Sequence, residues 1–328
     1  MGGPGVVRLA TVAGRFGRGV AAAMCRTTRP AAGRSEMCRW SALRLAPRAI
    51  AIVLRRGDGV KARDYAEVIV RSDTLEGKLV PPPELGDEAF DDERPALRIG
   101  APGRPAELPI VPGRRTRVPP LAGMRDRDQR ARILHALANH QLQAIELFAW
   151  GVLAFPATPA AFRRGLIAIL ADEQRHFALY QERLAAHGAR FGDQPVTGHF
   201  WNKLDHLTGP CEFVCAMNLT FENANLDFSG EYAAAARAAG DEATSRALEQ
   251  VHADEIRHVH FGWVWLRRLA GEREPWEAYL SHVRPPLGPA RARGARFDRD
   301  ARRRAGFDDA FIAALEAVAP TRPSGQPR

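Results

Sequence analysis

The sequence predicts an all-α protein, a four-helix bundle with an N-terminal and a C-terminal extension. Four segments between residues 126 and 271 are each much longer than the roughly 11 residues of an average helix, as a bundle requires. Ten of the 24 prolines lie elsewhere, between residues 80 and 120, where they favour an extended connector. A six-residue motif also occurs twice, once in each of two of the long segments.

The four helices are predicted over residues 128–154, 159–187, 210–239 and 241–270. Thr158 is expected to cap the second helix, with Pro159 at its first position. Glycines are expected to end the last three helices, namely Gly188, Gly240 and Gly271. The connection 188–209 is long for a tight hairpin, so it suits a crossover that runs along the bundle.

Around the bundle we predict five segments in all. They are an N-terminal tail (1–36), a short helical segment (37–79), a Pro-rich connector (80–125), the bundle (126–271) and an Arg/Pro-rich C-terminal extension (272–328). The tail is rich in arginine and poor in acidic residues, which fits a disordered tail, a targeting peptide or a spurious start; we favour a disordered or spurious tail. Shorter helices are expected over 42–55, 60–71 and 308–318.

Composition argues against several classes of function. No run approaches the roughly 18 apolar residues of a membrane helix, so we expect a cytoplasmic protein with no membrane partner. No Cys-x-x-Cys pair occurs among the four cysteines, so a zinc ribbon is not indicated. The net charge of +9 raises the question of RNA, but residues 1–35 contribute six arginines and no acid. RNA is therefore a minor prediction, which rests on the arginines of residues 284–304.

The repeated motif carries the strongest functional signal. Ala-Asp-Glu-x-Arg-His occurs in the second and fourth helices, 82 residues apart. Residues three apart share one face of a helix, so Glu173 and His176 point in the same direction. The same holds for Glu255 and His258. One Glu-x-x-His motif is weak evidence for a metal, whereas two on separate helices are much stronger.

The other two long helices each offer one carboxylate at the matching height. Bundle sites for two metals take one Glu from each of two helices and Glu-x-x-His from the other two. Glu146 and Glu222 both lie among apolar residues, where an unpaired carboxylate is costly. Glu146 and Glu173 are both about 20 Å from the first predicted turn. Glu222 and Glu255 are both about 25 Å from the last one.

The predicted ligand set is Glu146, Glu173, His176, Glu222, Glu255 and His258. Mixed oxygen and nitrogen donors suit iron or manganese better than a closed structural zinc site. Two divalent ions would neutralise the four carboxylates, which would otherwise repel one another and take up protons. The alternative is a buried network of acids and histidines without a metal.

The remaining residues of the motif fit a layer around these ligands. Metal-bound histidines usually donate their second N–H to a carboxylate. We therefore predict that Asp172 and Asp254 each accept from the histidine of the opposite hairpin. Arg175 and Arg257 would then balance the charge of these aspartates. The alternative is a set of ordinary salt bridges on the surface.

Together these residues resemble a known superfamily. The pattern E…ExxH…E…ExxH with D-E-x-R-H resembles the ferritin-like di-iron carboxylate proteins, which include ferritins, ribonucleotide reductase small subunits and bacterial multicomponent monooxygenase hydroxylases. More narrowly, H-x-L-x-x-x-x-L-Q-A-I-E-L, A-D-E-Q-R-H-F and D-E-I-R-H-V look like an uncharacterised bacterial ferritin-like family, a domain of unknown function distantly similar to a tRNA hydroxylase. The resemblance covers about residues 125–305 and leaves out residues 1–75.

The resemblance implies a cofactor and an activity. It implies two iron ions, or manganese with iron, that react with dioxygen when reduced. We expect an oxidase or hydroxylase that acts on an unidentified organic substrate. The sequence has no Rossmann or ferredoxin motif, so the electrons would come from a separate donor protein. The alternatives are a ferroxidase or iron-handling protein, and a non-catalytic metal-binding scaffold.

Two positions after the histidines break the symmetry of the repeat. Tyr180 follows His176 by four residues, similar to the radical tyrosine of ribonucleotide reductase small subunits, and a catalytic redox role is one expectation for it. The alternative is a tyrosine of the core. The equivalent position after His258 is Gly262, which either leaves room for substrate or dioxygen or permits close helix packing. His140 lies near the ligand layer without being a predicted ligand.

Overall fold

The computed structural model describes residues 59–113 and 116–320. The predicted tail 1–36 and the predicted helix 42–55 lie outside these residues. Within the described ranges the chain is mostly helical, and the strands are only two residues long, which confirms the all-α prediction. None of the helices in these ranges combines the length and apolar character needed to cross a membrane.

The helices are α1 (Ala62–Arg71), α2 (Leu75–Lys78), α3 (Arg127–Ala154), α4 (Ala160–Ala186), α5 (Pro210–Ala216), α6 (Asn223–Ala238), α7 (Glu242–Ala270), α8 (Pro275–His282), α9 (Arg299–Arg304) and α10 (Asp309–Ala317). Strands β1 (Ile110–Val111) and β2 (Val196–Thr197) pair in parallel. Short 3₁₀ turns cover Asp87–Phe90, Leu121–Arg125, Trp201–His206 and Pro289–Arg291. Helix α3 packs against α4, α6 packs against α7, and α4 also contacts α7.

Three of the four long helices have the predicted bounds to within one residue, because their ends carry strong local signals. Asp126 and Asp241 cap α3 and α7, each accepting a backbone N–H in the first turn. The glycines after the last three long helices have positive φ, as a helix-ending glycine should. The predicted cap Thr158 is wrong: its hydroxyl donates to the Phe155 carbonyl at 2.7 Å, and α4 begins at Ala160.

The third predicted helix is interrupted near its middle. Residues Met217–Glu222 form a π-helical turn between α5 and α6. In this turn the Thr220 hydroxyl donates to the carbonyl of Cys215, five residues earlier, at 2.8 Å. π-helical turns are rare and often occur at functional sites. This one ends on Glu222, a predicted ligand.

The Pro-rich connector lies against α3 instead of crossing open solvent. The backbone N–H of Leu97 donates to the Leu153 carbonyl at 2.9 Å, and the indole of Trp150 donates to the Ile99 carbonyl at 2.9 Å. Leu108 is buried, while Ile110 remains exposed. The connector and α1 therefore cover one side of α3, where an apolar core joins them.

The C-terminal extension contains three helices, although only the last was predicted. Helices α8, α9 and α10 form a second apolar core with α5 and α7. Arg302 holds them in place through two bonds to the buried Asp227, at 2.7 and 2.9 Å. Arg299 pairs with Glu316, and Arg293 donates to backbone carbonyls. Several arginines that motivated the RNA prediction thus have partners within the chain.

Candidate metal centre

Four buried ionisable side chains meet in the interior. Glu173 comes from α4, Glu222 from the π-helical turn, and Glu255 and His258 from α7. One donor atom from each lies within 4.8 Å of the others. Each residue is at most 4% exposed. We call this set the Glu/His cluster.

The atoms of the cluster that could bind a metal face one another in the interior. The Nδ1 atom of His258 lies 3.3 Å from Glu173 Oε1, 3.6 Å from Glu222 Oε1 and 3.4 Å from Glu255 Oε2. Three of these atoms, His258 Nδ1, Glu222 Oε1 and Glu255 Oε2, are buried and make no hydrogen bond among the described residues. Buried polar atoms without partners are costly and call for an explanation. Three carboxylates and one imidazole that converge in this way fit an iron or manganese ion.

The electrostatics of the cluster favour a cation. Burial raises the pKa of Glu222 well above its usual value, and the two neighbouring carboxylates add to this against the opposing charge of His258. Burial also opposes ionisation of Glu173, but the two histidines outweigh it and lower its pKa. For His258, burial opposes a charge, yet the hydrogen bond to Asp172 and the neighbouring cluster carboxylates raise its pKa well above its usual value. In the protein without a metal, protonation of Glu222 and His258 is therefore favoured, and it compensates the buried negative charge that a bound cation would compensate.

Metal binding should consequently release protons and strengthen as the pH rises. Glu222 and His258 both have raised pKa values, so both hold protons near neutral pH, and a metal ion must displace them to reach their lone pairs. Each displaced proton makes the apparent affinity rise about tenfold per pH unit. Titrations with Mn²⁺ between pH 6 and 8 in weak and strong buffers would measure this. An affinity that does not change with pH would contradict it.

Each histidine of the repeated motif contacts the aspartate of the opposite helix. His258 Nε2 on α7 donates to Asp172 Oδ2 on α4 at 3.1 Å. His176 Nε2 on α4 donates to Asp254 Oδ2 on α7 at 3.1 Å. For both aspartates burial opposes ionisation, but the histidine bonds outweigh it, with nearby arginine charges adding to them, and lower the pKa. The contacts are those predicted from the sequence, and the role of the aspartates around a metal stays a prediction.

The two arginines of the motif bridge both aspartates from the outside. Arg175 lies 2.6 Å from Asp172 and 3.5 Å from Asp254. Arg257 lies 3.1 Å from Asp172 and 2.8 Å from Asp254. Both arginine side chains are more than half exposed, whereas that of Asp254 is only 3% exposed. The four residues form a network of ion pairs that lies between the two histidines and the surface.

The second histidine lies at the edge of the cluster. His176 Nδ1 is 3.5 Å from Glu173 Oε1 and 3.4 Å from the amide nitrogen of Gln141 on α3. Burial opposes a charge on His176, but Glu173 and Asp254 outweigh it and raise its pKa to about 9. Gln141, which the sequence reading missed, is thus the α3 residue that contacts the site.

Glu146 does not join the cluster, so its predicted ligand role needs correction. Its Oε1 lies 2.8 Å from Lys78 Nζ, and its Oε2 lies 2.6 Å from Arg104 Nη2. The indole of Trp201 donates to the same Oε2 at 2.8 Å. The side chains of Glu146 and Lys78 are both fully buried. Because two cations from the N-terminal segments already neutralise this carboxylate, it has no need of a metal.

A family model describes most of this chain. The family is "Protein of unknown function (DUF455)", and its model matches residues 64–313. The chain belongs to this family. No curated protein and no solved structure matches the chain.

The family match begins earlier than the resemblance suggested. It starts at residue 64 rather than near residue 125, so most of α1, all of α2 and the connector belong to it. Leaving residues 64–75 outside was therefore wrong. Lys78 and Arg104, the partners of Glu146, lie inside the matched region together with the cluster.

Gly262 permits close packing of α7 against the π-helical turn. A Cβ atom at this position would lie 2.4 Å from the Cβ of Asn218. The amide of Asn218 donates to Glu222 Oε2 at 2.5 Å and to the His258 carbonyl at 3.1 Å. The contacts therefore favour the interpretation that Gly262 permits close helix packing. The same packing brings the amide donor of Asn218 to Glu222.

Adding one methyl group at Gly262 should disturb both the fold and the cluster. We expect Gly262→Ala to lower the free energy of unfolding by about 1–3 kcal/mol, because the added Cβ would overlap Asn218. It should also weaken metal binding, since Asn218 holds Glu222. Gly230→Ala on α6 is the matched control, because a Cβ there meets nothing within 4 Å. The control should be neutral or stabilising by up to ~1 kcal/mol. Urea unfolding would measure both variants, and equal changes in their free energy of unfolding would contradict this prediction.

Tyr180 lies next to the cluster but outside it. It is buried and lines a small cavity together with Gln141 and Asn225. Burial raises the pKa of its hydroxyl well above the usual value, and the charges of Glu255 and Glu173 raise it further. Tyr180 is therefore a neutral phenol at the edge of the site, and its redox role stays a prediction.

Proposed function

We propose that this chain is a ferritin-like metalloprotein that binds iron, or manganese with iron, in the Glu/His cluster. We propose further that it uses the reduced metal and dioxygen to oxidise or hydroxylate a small organic substrate. One observation carries the metal proposal: Glu222 Oε1, Glu255 Oε2 and His258 Nδ1 converge in the interior without other partners. The pairing of α3 with α4 and of α6 with α7 supports the ferritin-like bundle.

The residues divide into those that would hold metal and those that orient them. Glu173, Glu222, Glu255 and His258 would hold one ion, and His176 is the nearest further donor for a second. Bound iron or manganese would supply the electrons for reaction with dioxygen. Asp172 and Asp254 accept the Nε2–H of the two histidines, which leaves Nδ1 of each imidazole as the atom that would bind a metal.

The α3 side of the site supports a second candidate function, a single-ion site without oxygen chemistry. Gln141 contacts His176 where a carboxylate is expected, and Glu146 is neutralised by Lys78 and Arg104. The cluster therefore offers three carboxylates in place of the predicted four, so a second divalent ion would leave excess positive charge. Under the main proposal the second ion should accordingly bind more weakly than the first.

Anaerobic loading with ferrous iron separates these candidates. The oxidoreductase proposal expects about two irons per chain, the second of lower affinity, and dioxygen uptake by the loaded protein when a reductant is supplied. A ferroxidase would instead keep oxidising excess ferrous iron without any organic substrate. One tightly bound iron with no dioxygen uptake would favour the single-ion candidate. A folded chain that binds no iron would refute the metal proposal.

A further inference from the structure

A pocket of about 300 Å³ opens on the surface beside α3. One stripe of α3 forms its floor, and the segment around β2 forms a wall. Its polar lining includes Arg117, Arg132, His135, Asn139, His140 and Thr197. This volume is at the lower end of the range of sites for small organic ligands.

Two buried side chains give the pocket a built polar wall. Asn139 is 4% exposed, and its amide nitrogen donates to the Thr197 carbonyl at 3.0 Å. Its Oδ1 is buried and has no hydrogen-bond partner among the described residues, so it is an acceptor that these residues leave unsatisfied. His135 Nε2 accepts the backbone N–H of Gly192 at 2.9 Å, which leaves the imidazole proton on Nδ1 as a donor.

The charge of the lining selects for an anion. Arg117 and Arg132 line the pocket, and none of its lining residues is acidic. The guanidinium of Arg132 donates to the Arg117 carbonyl at 2.6 Å, which fixes it at the rim. A guanidinium at a partly enclosed rim is well suited to a carboxylate or phosphate group.

His140 lines both this pocket and a smaller cavity next to the Glu/His cluster. The same residue lines a second, interior cavity of about 10 Å³, to which α3, α4, α6 and α7 all contribute. Two amides in that cavity wall touch the candidate centre: Gln141 lies 3.4 Å from His176, and Asn225 donates to Glu255 Oε1 at 3.0 Å. A cavity of this size can hold about one water-sized molecule. His140 thus lines both the surface pocket and the cavity whose two amides contact the candidate centre.

We propose that the surface pocket is the substrate site, and that it takes a small organic anion that also carries an N–H or O–H donor. The donor meets Asn139 Oδ1, the anionic group meets Arg132, and His140 forms the wall toward the metal. This assignment rests on the proposed function for its link to the cluster, while binding in the pocket itself needs no metal.

The test uses 3-fluoro-4-hydroxybenzoate, which has a carboxylate, a hydroxyl donor and a fluorine label. Fluorine NMR titration of the full chain stripped of metal should show saturable binding. We expect at least tenfold weaker binding with Arg132→Ala and with Ala136→Phe, which fills the pocket from its floor. Arg127→Ala is the matched control, since Arg127 lies on α3 outside the pocket. No saturable binding, or equal binding by all variants, would overturn the assignment.

A second measurement tests the link to the metal. With Co²⁺ bound in the cluster, the same probe should alter the visible absorption of the ion in the wild type and not in Ala136→Phe. If Co²⁺ does not bind, the metal proposal fails while the fluorine titration still decides the pocket. If Co²⁺ binds and the probe binds without altering the spectrum, the pocket is not the substrate site of this centre.

Discussion

Glu222→Gln should abolish metal binding and leave the fold almost unchanged. Burial raises the pKa of Glu222 well above its usual value and so favours its neutral acid form, which a neutral amide of the same shape replaces at little cost. Its contact with Asn218 can re-form, because either amide group can rotate. An uncharged amide is nevertheless a poor ligand for iron or manganese.

Metal content per chain and urea unfolding would check this pair of effects. Wild type should retain iron after gel filtration, and the variant should retain almost none, with the free energy of unfolding of the metal-free proteins within ~0.5 kcal/mol. Glu249→Gln is the matched control, because Glu249 is an exposed acid on α7 that pairs with Arg237. Undiminished iron in Glu222→Gln would remove the cluster as the metal site.

Glu146→Gln should do the reverse, destabilising the fold while leaving the metal stoichiometry unchanged. The substitution leaves Lys78 and Arg104 with an uncompensated buried charge. Removing one partner from a buried ion pair typically costs about 3–5 kcal/mol, so the free energy of unfolding should fall by about that much. Urea unfolding of the metal-free variant would measure it. Glu67→Gln, which breaks the exposed pair with Arg71, should cost about 0–1 kcal/mol.

The two outcomes also separate a structural Glu146 from a ligand. If the variant folds with normal stability and loses iron, the carboxylate binds metal, and its contacts with Lys78 and Arg104 must open to allow this. If the variant is destabilised and its folded fraction still binds the wild-type amount of iron, Glu146 serves only the fold.

Local signals explain which parts of the fold were predictable. The bounds of α3 and α7 follow from their capping aspartates, and helix-ending glycines mark the ends of the last three long helices. The spacing of Glu173 with His176, and of Glu255 with His258, is a property of a single helix and needs no tertiary information. The π-helical turn had no such signal, because it is stabilised by contacts with residues distant in sequence, such as Tyr279 with Thr220.

The misplacement of Glu146 has a simple geometric cause. Counting residues from the turn at 159–160 fixes the height of a residue along a hairpin but not the direction in which its side chain points. Gln141 and His176 differ by only about two residues in their distance from that turn, so the same count fits them almost as well. Five residues separate Gln141 from Glu146, which rotates the side chain by about 140° around the helix. That rotation turns Glu146 away from the cluster and toward cations whose position the sequence did not reveal.

The Lys78–Glu146–Arg104 contact also sets the limits of the smallest unit that can fold. The acid lies in the middle of the first long helix, whereas both of its counterions come from segments that precede that helix. A fragment cut back to the four long helices would expose a carboxylate built for the interior, together with the apolar surface that α1 covers. The segments before residue 126 are therefore integral to the helical fold, and truncation, fusion or domain exchange at that boundary should yield chains that do not fold independently.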